Sequence, residues 1–247
     1  MCGRYIFAKN RKDLLRPYGL DKDFDEHGSG MPVYSLPLFN VAPTLPMPVI
    51  VFENGRRVLK IMRWGLIAPW SEEPRMKLAT INARVEGIAT SPLYRGPFKN
   101  RRCLVPATGY YEWNGPAKAR IPHCIQKCSH DIFSFAGIWE RWQSKDKGQT
   151  IETFSVVTTP ANKFVLTIHT RMPAILEERD EDRWLNPDTP IEECLALLNP
   201  YPFDDLCAHR ASPVVNKAGI EGPELAAPIE TAIADSAPAQ LNFTTFT

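Results

Sequence analysis

No stretch of this 247-residue chain approaches the roughly 20 apolar residues that a membrane-spanning helix needs. The opening, MCGRYIFAKNRK, has no apolar core of the signal-peptide kind, so no secretory leader is expected. No internal repeat is visible, and charge of one sign is missing too, the formal net charge being +1. A balanced total neither favours nor excludes nucleic acid, because a local patch matters more than a sum. The imbalance that does exist is regional. From Lys217 onward one Lys stands against four acidic residues, a net −3 that leaves +4 on residues 1–216.

Six cysteines are present: Cys2, Cys103, Cys124, Cys128, Cys194 and Cys207. Without a leader, an intracellular, soluble protein with reduced thiols is expected, each thiol open to reactivity, metal binding or burial. The length suffices for one sizeable domain or two small ones. The 23 prolines are scattered, which argues for many short elements rather than a helical bundle. Strands are expected at residues 48–52, 57–62, 104–107, 110–113, 123–127, 132–139 and 154–158. The Asn54-Gly55 dipeptide between the first two signals a hairpin. Helices are expected at 9–16, 162–168, 178–185 and 190–198, the last with Thr189 as N-cap. The Ala-, Pro- and Glu-rich stretch 217–247 reads as a flexible tail outside the fold.

Chemistry concentrates in five motifs. Loss of Met1 would leave Cys2 with a free α-amine beside its thiol. Such an aminothiol can condense with an aldehyde and close a thiazolidine ring; its thiol can equally attack an amide with the amine as base. MCG alone does not choose between them. In INARVE, Asn82 can hold an amine or carbonyl and Arg84 a phosphate, although a polar loop would look the same. In GYYEW, alternation puts Tyr110 and Glu112 on one face, and aromatic bulk would raise the carboxyl's pKa as acid–base work requires. A strand-edge Glu paired with Arg is the plain alternative. In IHTRMP, His169 can shuttle a proton and Arg171 can anchor an anion, or both can be structural. In RWGLIAPW, Trp64 is expected in the core and Trp70 at the surface, where it could stack on a base. Residues 84–102 carry Arg84, Arg95, Lys99, Arg101 and Arg102 against Glu86 alone, either a phosphate-tracking groove or a solvated loop. His123, Cys124, Cys128 and His130 are close in sequence, but a second ligand pair at finger-like distance is missing, so no metal is expected.

Together and in order, these motifs resemble the SOS-response-associated peptidase domain family. The match runs from MCGRY through NVAPT, RWGLIAPW, INARVE, RRCLVPATGYYEW, FAGIWERW and TIHTRMPAIL to ASPVVN, nearly all of residues 2–216. The resemblance implies an α+β fold, a β-rich single domain with a barrel-like antiparallel core and peripheral helices. It implies a catalytic domain at 1–216 with the tail beyond. It further implies an enzyme that loses Met1 autoproteolytically and crosslinks Cys2, as a thiazolidine, to the ring-opened sugar of an abasic site, with lyase-type or reversal chemistry besides. Asn82 would orient the amine or sugar, Glu112 would be the acid–base, and His169 would assist proton transfer. Arg4, Pro43, Trp70, Arg84, Arg101, Arg102, Thr158 and Arg171 would contact DNA. The implied partner is single-stranded DNA containing abasic sites, including junctions near replication forks. The implied protein is a monomer, DNA-associated in cytoplasm or nucleus, with no cofactor, no metal and no membrane. Thr170 departs from the family, which often has Asp after the His.

The physics suits that chemistry. An abasic nucleotide has no base to unstack, so extruding it costs little. Holding amine and aldehyde together supplies rate. Rival readings are an N-terminal-nucleophile amidotransferase, a cysteine peptidase using Cys2, and a reader of modified bases without chemistry.

Overall fold

The computed structural model describes residues 2–10, 13, 16–20, 36–75, 78–116, 118–146, 148–202 and 204–229. In chain order these form β1 (Tyr5–Phe7), β2 (Leu38–Val41), β3 (Pro46–Glu53), β4 (Arg56–Trp64), β5 (Asn82–Arg84), α1 (Arg95–Asn100), β6 (Arg102–Ala107), β7 (Gly109–Asn114), β8 (Ile121–Lys127), β9 (Phe133–Gln143) and β10 (Thr150–Pro160). They continue with β11 (Arg171–Pro173), β12 (Ile175–Leu176), α2 (Glu181–Leu185), α3 (Ile191–Ala196) and β13 (Leu206–Arg210). No helix among the described residues is long and apolar enough to cross a membrane.

The β-branched runs pair as their residues suggest. β3 and β4 form a hairpin from Pro46↔Arg63 to Glu53↔Arg56. Its turn places Asn54 at φ 52° and Gly55 at φ 77°, the left-handed region that this dipeptide tolerates. β3 then pairs with β6, β6 with β9, β9 with β10 and β10 with β4, so five strands close into a barrel. The barrel is antiparallel except at the β4–β10 seam, which is parallel. Gly137 permits the close approach of β9 to β6, since a Cβ there would lie 2.7 Å from Cys103 Sγ. Its core holds Met47, Val49, Trp64, Leu104, Phe135 and Phe154, all buried.

A second, five-stranded sheet runs in the order β13–β8–β7–β1–β2. It sets the amino-terminal strand between β2 and β7. β5 attaches to β10 in parallel, with Val156 opposite Asn82. These two attachments position the site.

Several expectations are corrected. The 162–168 helix is a single 3-10 turn, Val165–Thr167. The 191–196 helix is capped at Pro190 without a side-chain bond, so Thr189 is not its N-cap. Half of the residues of the helix expected at 9–16 lie outside the described residues. Cys128 and Cys207, expected reduced, form a disulfide across 79 residues, where the end of β8 meets β13. Residues 217–229, expected as part of a flexible tail, make contacts with the body. Leu225 is buried, the Ile229 N–H donates to Arg210 O, and the Glu221 carboxylate accepts the N–H groups of Phe39 and Asn40. The rest of the expected tail, 230–247, lies outside the described residues.

Candidate active site at the amino terminus

Cys2 lies just ahead of β1, and its position is inherited from that strand. The Tyr111 N–H donates to Arg4 O at 3.0 Å, tying residues 2–4 to the start of β7. The Cys2 side chain is buried, its Sγ 3.7 Å from Arg4 O. Asn82 opens β5, and its Nδ2 donates to Cys2 O at 2.9 Å. Glu112 lies on β7 and is only 1% exposed. His169 follows the Val165–Thr167 turn. Its Nδ1 accepts the Arg171 N–H at 3.0 Å and stands 3.8 Å from Glu112 Oε2. Four residues taken from four separate motifs, spanning positions 2 to 169, therefore meet in one place.

Burial sets their charge. It pushes the Glu112 carboxyl up to about 7, so near neutrality it can both give and take a proton. It pushes the Cys2 thiol well above its ordinary range, with the Glu112 carboxylate adding to the effect. The thiol therefore keeps its proton until a base accepts it. Burial lowers the His169 pKa, leaving that ring neutral near pH 7. A pH low enough to charge His169 also neutralises Glu112, so their 3.8 Å approach is not a standing ion pair.

Sequence reasoning missed Tyr5. Its hydroxyl, that of Tyr110 and Asn82 Oδ1 are buried and find no partner among the described residues. Both phenols feel the Cys2 thiolate electrostatically. Buried polar atoms are normally paired, so these three leave hydrogen-bonding capacity beside Cys2 for something that enters. The alternation in GYYEW had already placed Tyr110 with Glu112; nothing in the motif signalled Tyr5.

The expected DNA contacts divide. Trp70 is 63% exposed, the most open of the large hydrophobic side chains among the described residues, whereas Trp64 is buried and packs edge-on against Tyr5 at 5.2 Å. Arg84 is exposed on β5, two residues from Asn82. Pro43 is half-buried in the turn before β3, next to exposed Thr44. Three other arginines are held by the protein: Arg171 by Glu86 and by Thr158 O at 2.7 Å, Arg101 by Glu140 at 2.5 Å, and Arg4 by Asn40 and Val215.

Two expectations fail. Arg102 is buried, and its guanidinium donates to the carbonyls of Trp184, Phe98, Lys99 and Asn186 at 2.5–2.9 Å. It ties β6 to the helices and leaves no donor facing a phosphate. Thr158 is fully buried and serves Arg171 instead of solvent. Of the residues weighed for metal, Cys128 is in the disulfide and Cys124 is buried. No group of three potential metal ligands occurs among the described residues.

Barrel and site together define a β-barrel protein whose buried thiol, second in the chain, is set beside an amide, an imidazole and a carboxyl poised near neutrality. The chain belongs to the SOS response associated peptidase (SRAP) family, whose model matches residues 1–218. It is 35% identical over 227 residues to the abasic site processing protein YoqW of Bacillus subtilis, covering 91% of this chain and 98% of that one. It is 31% identical over 224 residues to the abasic site processing protein HMCES of Xenopus tropicalis, covering 78% and 66%. A crystal structure of a protein from Bacteroides thetaiotaomicron superposes with a TM-score of 0.80 at 29% identity, covering 93% of this chain and all of that one.

Proposed function

We propose that this protein processes abasic sites in single-stranded DNA by linking Cys2, freed of Met1, to the opened sugar as a thiazolidine. The observation that carries the reading is the convergence of Asn82, Glu112 and His169 on Cys2. The relatives' shared description as abasic site processing proteins supports the substrate class.

The steps follow from the groups present. The α-amine of Cys2 adds to the aldehyde carbon. Glu112, protonated, gives its proton to the departing hydroxyl, and water leaves as the imine forms. The resulting Glu112 carboxylate takes the thiol proton, which the buried Sγ would otherwise retain. The sulfur closes onto the imine carbon, and the ring nitrogen ends as an N–H. The net change is aldehyde plus aminothiol to thiazolidine plus water. Asn82 fixes the Cys2 carbonyl and hence the direction of the amine. Loss of the aldehyde blocks β-elimination, so the DNA strand stays whole. Trp70 offers a stacking face and Arg84 a phosphate contact at the rim. Peptidase chemistry at this site is confined to Met1.

The test is a denaturing gel with a single-stranded oligonucleotide carrying one abasic site. Wild type is run beside Cys2→Ala and beside protein that retains Met1. A shifted, heat-stable band that needs both Cys2 and Met1 removal is the expected result. No band from fully processed protein would sink the covalent reading and turn attention to glutaminase and peptidase assays.

A further inference from the structure

Once Met1 is removed, Cys2 is held by covalent structure from one side only, and chain termini fray unless tied down. Besides the Asn82 bond to Cys2 O, what holds Cys2 acts through the residues just after it. Arg4 is the first long side chain there. Its Nη1 donates to Asn40 Oδ1 at 2.7 Å and to Val215 O at 2.9 Å.

Asn40, on β2, is fully buried, and its side chain is committed on both sides. Oδ1 accepts from Arg4, while Nδ2 donates to Lys217 O and Ile220 O, each at 3.0 Å. The Phe39 and Asn40 N–H groups then donate to the Glu221 carboxylate at 2.6 and 3.1 Å. The same C-terminal run reaches the other side of the site, where Trp113 Nε1 donates to Asn216 Oδ1 at 2.8 Å. Residues 215–221 thus touch both the arginine that follows the nucleophile and the tryptophan that follows the acid–base. A buried amide is costly unless every group is matched, and when matched it specifies one geometry more than it adds stability. An apolar side chain of the same size would fill this place on β2 without gripping anything.

We propose that Asn40 is a positioning residue for Cys2, joining Arg4 to a clasp formed by residues 215–221. It rests on the reading of Cys2 as the reacting group. Asn40 acts through Arg4 and touches no substrate. The clasp extends past the family match, which ends at residue 218.

The experiment uses full-length protein with Met1 removed, as wild type, Asn40→Leu and Glu221→Ala. Crosslinking rates are measured against the concentration of an abasic-site oligonucleotide. In parallel, iodoacetamide labelling at Cys2 and Cys103 is mapped by mass. For Asn40→Leu the rate at saturating oligonucleotide should fall about tenfold or more, as for a misplaced reactive group, with the half-saturating concentration unchanged. Cys2 should label faster, while buried Cys103 should not. Glu221→Ala loosens the clasp from its exposed end without a buried lesion, and should show the same split more weakly. Wild-type rate and wild-type Cys2 protection in both variants would overturn the proposal. So would a loss confined to half-saturation, which would make the Arg4–Asn40 pair a DNA contact. If wild type forms no crosslink, the covalent reading falls and the labelling comparison alone decides Asn40.

Discussion

Of the carboxylates buried among the described residues, Glu112 and Glu181 are treated differently. Glu181, on α2, accepts from Ser134 Oγ at 2.5 Å and pairs with Arg57 at 3.1 Å, and Tyr18 extends the chain through Ser134 at 2.8 Å. Glu112, on β7, faces the His169 ring at 3.8 Å instead of an arginine. Burial raises both; for Glu181 the Ser134 and Arg57 bonds pull back, while for Glu112 the Trp113 N–H and the Arg120 charge pull back and it still comes to rest at about 7. A buried acid matched by a hydroxyl and a guanidinium is a pin between elements. A buried acid set against a neutral imidazole and a thiol is a proton reservoir. The lesson is that burial alone does not mark a functional carboxylate; the identity of its partners does.

The sharpest way to break the contrast is to neutralise each acid. Glu112→Gln should slow crosslinking by about 10²-fold or more, the usual worth of a general acid–base. It should not lower the melting temperature. The pH dependence gives the sign. Folded Glu112 holds its proton up to about 7, whereas an ordinary carboxyl releases it near 4.5. The native state thus binds more protons across that window, and wild type should lose stability as pH rises through it. Thermal melts of Glu112→Gln between those pH values should lack this contribution; an unchanged slope would mean that the carboxyl is not raised. Glu181→Ala should do the reverse. It takes one partner each from Arg57, which keeps Asp182, and from Ser134, which keeps Tyr18, so urea unfolding should show a loss of about 1–3 kcal/mol. Its crosslinking rate, measured where the variant is folded, should match wild type, and a slowed rate would erase the distinction between pin and reservoir. The smallest effect separates two arginines of one basic segment in the same way. Arg84→Ala should reduce the salt slope of DNA binding by about one unit. Arg102→Ala should destabilise the fold and leave that slope alone, since its donors serve four carbonyls.

Much of the fold was legible in local pattern. The seven long strands followed β-branched and aromatic runs to within a few residues, and Asn54-Gly55 marked its turn. β1, β2, β5, β11 and β12 are two to four residues long, too short to show a period, and exist because neighbours pair with them. The site was legible as chemistry. Cys2, Asn82, Glu112 and His169 each belong to a motif whose residue types suit their place.

Position, burial and partnership were not legible, because they are settled between segments far apart in the chain. Asn82 reaches Cys2 only because β5 lies parallel on β10 while β1 lies between β2 and β7. Arg102 looked like its basic neighbours until α1 and the end of α2 supplied carbonyls for each of its donor nitrogens. Cys128 and Cys207 are 79 residues apart and meet because β8 pairs with β13. The Ala-, Pro- and Glu-rich run after residue 216 has the composition of a free tail, yet the Glu221 carboxylate accepts the N–H groups of Phe39 and Asn40 on β2. The residues by themselves determined which groups are present and which strands form, since these depend on side-chain type and local period. Tertiary structure alone decided which arginines face solvent, what surrounds each buried carboxylate and which thiols meet, because each depends on what a distant segment places within about 3 Å.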